Sequence, residues 1–120
     1  MESILTSIKK LLGIAEEYEH FDTDVIIHIN TTLMTLAQIG VGPLEGFRIE
    51  DKTATWDDFI PNASRLKLEG VKTYIYQKVK LVFDPPQSST AVEALKQSIA
   101  ELEWRLNVAV DPGESQSEEV

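Results

Sequence analysis

A small all-α bundle of about four to five helices is the fold class the sequence predicts. Three features predict it: apolar residues recur at intervals of three and four over several long segments, glycine and proline punctuate those segments, and only one short stretch alternates as a strand would. The chain has 120 residues, 42% of them hydrophobic, enough for one compact domain that buries its own core. We assign residues 1–110 to this helical domain and 111–120 to an acidic tail.

The first helix is expected over residues 3–12, where Ile4, Ile8, Leu11 and Leu12 share a face and Gly13 provides the stop. The segment is too short and too poor in basic residues for an interfacial membrane anchor. A second helix is predicted from Asp22, read as its N-cap, to about Ile39, with Phe21 and Ile26 as a hydrophobic staple. Its buried stripe reads Ile26, Ile29, Leu33, Leu36 and Ala37, and Gly40 supplies a left-handed end. Residues 41–56, which contain Gly42, Pro43 and Gly46, form a long connection, with Phe47-Arg48-Ile49 alternating as a short extended stretch.

Thr55 is placed to cap a short turn over Trp56–Ile60 that Pro61 ends. The next helix is expected from about Leu66 to Phe83, with Leu68, Val71, Ile75, Val79 and Val82 on one stripe. Tyr74, Tyr76, Leu81 and Phe83 add apolar area elsewhere, so this helix should be buried on more than one side. Asp84-Pro85-Pro86 terminates it, because proline disfavours helical geometry in its predecessor and lacks a donor. The last helix opens with Thr90 and Glu93 at capping-box spacing, and its seam is Val92, Leu95, Ile99, Leu102 and Leu106. Beyond Val110 come four acids and a single large apolar residue, the composition of a flexible tail.

Composition narrows function. With 11 Lys and Arg against 20 Asp and Glu the net charge is −9, which opposes binding to phosphate backbones or anionic lipid. There is no cysteine, so disulfides, thiolate metal sites and Cys nucleophiles are excluded. No run approaches the roughly 18 apolar residues of a membrane span, and no signal-peptide pattern opens the chain. A soluble intracellular protein is expected. No cofactor-binding or catalytic motif appears: there is no phosphate loop, serine elbow or zinc-protease helix. His20, Asp22, Asp24 and His28 cluster near the second helix, but hard-metal loops need a denser oxygen cage, and capping and dipole roles explain the acids. No metal site is assigned.

What remains is surface for binding proteins. On the last helix Ala100, Trp104 and Val108 lie away from the Leu and Ile seam, so Trp104 either covers the first helix or meets another subunit. Lys72, Lys78 and Lys80 interrupt a stretch without acids; a solvated face is one reading, and contact with Glu101 or Glu103 of a neighbouring copy is the other.

Several segments together resemble the head-tail connector proteins of long-tailed bacteriophages, also called adaptor or head-completion proteins. These are Gln38 to Pro43 followed by Gly46 to Ile49, Trp56 with Phe59, Val71 to Tyr76, Leu81 to Pro86 and Glu101 to Asn107. The resemblance covers about residues 1–110. It implies a structural, non-enzymatic subunit of a dodecameric ring that docks on the portal protein, extends the DNA channel and offers a surface to a tail or neck completion protein. DNA would pass without specific binding. Its place would be the virion neck, reached from the host cytoplasm during assembly. Carried onto this chain, the resemblance makes Val41 to Lys52, with Phe47, Arg48 and Ile49, and Asp111 to Val120 candidate contact segments. Two other classes stand beside it. One is a non-viral helical regulatory module; the other is a hydrolase using Asp57, Asp58 or Asp84.

Overall fold

The computed structural model describes residues 2–109 in full and the backbone of the last helix beyond them. It contains α1 (Ile4–Leu12), α2 (Asp22–Gln38), α3 (Trp56–Phe59), α4 (Arg65–Phe83) and α5 (Ser89–Glu119). The all-α class is thus observed, with five helices and, among the described residues, one isolated bridge between Ser3 and Thr55 in place of any sheet. The expected acidic tail, 111–120, lies outside the fully described residues.

α4 is the hub. It packs against α1, α2 and α5, while α2 and α5 lie on its flanks. Val71, Tyr74, Ile75 and Val79 are buried along it, which is the burial on more than one side that its apolar excess predicts. Val82, placed on the buried stripe by spacing alone, is instead exposed, and Leu68 only half-buried. The stripe wraps towards Tyr74, because a helix with neighbours on several sides does not keep one narrow face inward.

Ser3 caps α1 through its hydroxyl, which accepts from the Thr6 amide at 3.2 Å, and Gly13 ends it. Leu5 rather than Leu11 joins Ile4 and Ile8 in the core. Next to Ile8, Lys9 is also buried, 2% exposed. Its Nζ donates to the carbonyls of Glu16 (3.0 Å) and Tyr18 (2.7 Å) and lies 2.8 Å from Asp22 Oδ1. That contact revises the reading of Asp22. The residue at the N-cap position of α2 is Phe21, which makes no side-chain cap bond, and Asp22 is the first helical residue. Its carboxylate is drawn to a buried ammonium instead of to the helix's own amides. Among the described residues no other polar group partners Asp22 Oδ1, so the Lys9 charge holds it in place.

Along α2 the core face is Val25, Ile29, Leu33 and Leu36, with Ile26 and Ala37 half-buried at its edge. The helix ends in paired bonds from Gly40 N to Ala37 O (3.1 Å) and Val41 N to Leu36 O (2.8 Å). Gly40 has φ +92°, the left-handed geometry this ending requires.

The 41–55 connection has no strand, and the Phe47-Arg48-Ile49 alternation is not paired to another chain segment. A side chain takes the place of a neighbouring strand: Asn30 accepts from Ile49 N (2.8 Å) and donates to Ile49 O (3.0 Å). Ile49 is thereby buried. Gly42 sits at φ +94° where a Cβ would fall 2.5 Å from Phe59 Cε1, so the loop crosses the α3 ring at backbone contact distance. Phe47 packs on the same ring at 5.3 Å between centroids.

Thr55 and Asp58 form the reciprocal capping box of α3. Trp56 is fully enclosed, its Nε1 donating 3.0 Å to Ser7 Oγ, which donates to Ser3 O at 2.6 Å. The α5 start differs from the expected Thr90–Glu93 box. Ser88 caps it, accepting from Ala91 N at 3.0 Å, two residues earlier. Its seam is as read, with Ile99 and Leu106 buried and Val92, Leu95 and Leu102 half-buried.

Candidate interaction surfaces

Two unlike apolar surfaces stand on α2 and α5, and a smaller groove of about 400 Å³, which Leu66, Gly70, Leu102 and Leu106 line, runs between α4 and α5. The first is a cleft of about 580 Å³ between α2 and the 44–48 loop. Its floor is the stripe Ile27, Thr31, Met34 and Gln38, spaced i, i+4, i+7, i+11 and so nearly in line along the helix. Phe47 and the fully exposed Leu44 form the other wall, and Glu45 and Arg48 the polar rim. Met34 is 61% exposed, a large apolar side chain left in water by a helix whose core face is already full. Arg48 pairs with Glu50 at 3.0 Å, both well exposed.

The second surface is the outer face of α5. Trp104 is 66% exposed, so it does not cover α1. Ala100 is exposed beside it and Val108 half-buried. Glu101 and Arg105 border this face about 60° and 100° round the helix, joined to each other at 2.7 Å. α5 is fixed to the rest of the molecule from its other sides: Asn107 Nδ2 donates to Ile39 O at 3.1 Å, Tyr74 Oη to Glu103 at 2.6 Å, and Ser98 Oγ to Gln77 at 2.9 Å. Burial, and then the Glu103 carboxylate, push the Tyr74 phenol well above its ordinary range.

Of the other sequence candidates, Lys72 and Lys80 are engaged within the chain. Lys72 pairs with Glu2 at 2.7 Å and stacks 5.5 Å above the Trp56 ring, and its hydrogen bond pulls the Glu2 carboxyl below the usual range. Lys80 reaches the carbonyl of Asp84 at 3.3 Å and its carboxylate at 3.9 Å. Either lysine would have to exchange partners to serve a neighbouring copy. Ile49 supports the loop from inside, whereas Phe47 and Arg48 face the cleft. The structure therefore brings Phe47 and Arg48 together with Ile27, Met34 and Leu44, and sets Trp104 apart from them on another helix.

Residues weighed for chemistry have structural partners. Asp58 closes the α3 capping box, Asp57 accepts from Asn62 N at 3.3 Å, and Asp84 meets Lys80. His20 packs edge-on against Phe21 and His28 against Phe83. Among the described residues no group of three or more His, Cys, Asp or Glu converges as a metal site would, and no helix is long and apolar enough to cross a membrane.

The chain is all-helical and leaves apolar surface exposed on separate helices. The chain belongs to the phage connector protein family, whose model matches residues 4–113. This is a structural family of the phage head-tail junction, and the resemblance read from the sequence is borne out. No curated protein and no solved structure matches the chain.

Proposed function

We propose that this protein is a non-enzymatic subunit of the phage neck, forming a ring of about twelve copies that docks on the portal protein, extends the DNA channel and presents a surface to the next tail or neck component. The observation that carries the ring is that one subunit exposes unlike apolar surfaces on different helices, the α2 cleft and the Trp104 face of α5 among them. Head-to-tail association needs two unlike, complementary patches, and it generates a closed ring when the rotation between neighbours closes. A two-fold dimer would need only one self-complementary patch.

The charge of −9 supports the channel reading. Surplus acid repels a phosphate backbone, so DNA moves through without sticking. A subunit with modest pairwise contacts also suits assembly on a template, because a portal offering many sites makes each later contact effectively intramolecular. In this reading the protein collects at the virion neck after its synthesis in the host cytoplasm.

The test is the native mass of the purified protein over a concentration series, alone and with the portal protein of the same phage. A ring-sized species in either condition supports the reading. A monomer or dimer that ignores the portal at every concentration overturns it and favours a regulatory interaction module.

A further inference from the structure

Building on the ring reading, we propose that Trp104 of one copy seats in the cleft that Ile27, Met34, Leu44 and Phe47 line on the next copy. The two surfaces match in three ways. In shape, a single projecting aromatic faces an open cleft whose about 580 Å³ can accept an indole ring with room for its neighbours Ala100 and Val108. In polarity, an indole must keep a partner for its N–H when buried. Thr31 Oγ1, which donates to Ile27 O and so retains a lone pair, and Gln38 lie on the cleft floor to accept it.

In charge, Glu101 and Arg105 lie together on one side of Trp104 while Arg48 and Glu45 rim the cleft. Glu101 can turn to Arg48, and Arg105 to Glu45, by giving up two exposed pairs within the chain, Glu101–Arg105 and Arg48–Glu50. Exposed pairs are worth little in water, so exchanging them costs little. Because the cleft belongs to α2 and its loop, the knob belongs to α5, and both are exposed in one copy, each is free to engage a different neighbour.

The natural absence of cysteine makes the contact directly testable. Two single-cysteine variants that keep the indole, Met34→Cys and Ala100→Cys, are mixed under mild oxidation at the concentration, and with the portal protein if required, at which the wild type associates. The contact predicts a disulfide-linked dimer from the mixture and little from either variant alone, and a ladder of multimers when both cysteines are on one chain. A second arm uses charge. Arg48→Glu and Glu101→Arg should each weaken association several-fold, and the double variant should recover most of the loss.

Cross-linking of Ala100→Cys chiefly to itself, or to Leu66→Cys in the groove between α4 and α5, overturns the proposal. A wild type that forms its ring while the mixture stays unlinked and the charge swaps have no effect sinks this contact but leaves the connector reading intact. A wild type that never associates removes both.

Discussion

The two tryptophans of this chain occupy opposite situations. Trp56 is 1% exposed, and Trp104 is 66% exposed. Around Trp56 four separate stretches are tied together: α1 through Ser7, the N-terminal residues through the Glu2 and Ser3 backbone, α3 through its own capping box, and α4 through Lys72. Around Trp104 one helix faces water, although the same helix is anchored on its other sides by Asn107, Glu103 and Ser98. An identical side chain therefore serves folding at one site and is left available for association at the other. The difference lies in what already surrounds each helix.

Changes on the Trp56 side should show in stability. Trp56→Ala removes the largest enclosed side chain and leaves a cavity between α1, α3 and α4, at a cost of about 3–5 kcal/mol in chemical denaturation. Lys9→Met keeps the apolar stem but strands the Asp22 carboxylate and two carbonyls, and should cost about 2 kcal/mol, partly offset because Asp22 retains some access to water. A Lys9→Met chain as stable as the wild type would show that the ion pair only breaks even.

Tyr74, on the α4–α5 contact, gives a pH signature. Its phenol holds its proton more tightly when folded than when unfolded. Once the pH passes about 10, the ordinary value for tyrosine, the unfolded chain releases that proton while the folded chain keeps it. Stability is therefore fully present below that point and declines as pH rises above it. Tyr74→Phe should flatten this decline in alkaline melting curves and cost about 1 kcal/mol at neutral pH.

Much of this division was legible in the sequence. The period of α1, α2, α4 and α5, the Thr55 cap and the Pro85 stop follow from local chemistry, and local chemistry governs helix ends and faces. The interface role of the Trp104 face was half legible, since spacing placed it off the seam but could not say whether α1 would cover it. The cleft was not legible as a site. The family resemblance points to Phe47 and Arg48 but not to Ile27 and Met34. Their i, i+7 spacing on the face opposite Ile29, Leu33 and Leu36 was the available signal.

What escaped the sequence depends on long-range pairing. Lys9 reads as an exposed charge until the 16–22 turn folds back over it, and Asp22 reads as a cap until that same ammonium claims it. Likewise Asn30 bracketing Ile49 across 19 residues leaves no local trace. Val82 shows the converse, a periodic position that stays in water because no element reaches it.

Trp104→Ala separates folding from assembly most sharply. Sedimentation velocity of this variant beside the wild type, over one concentration series and with the portal protein if the wild type needs it, tests the account directly. The prediction is an apparent association constant lower by about 30-fold, a hot-spot loss, with the denaturation midpoint shifted by less than about 0.5 kcal/mol in stability. Undiminished assembly by Trp104→Ala, or assembly lost only because the subunit itself unfolds, would contradict it.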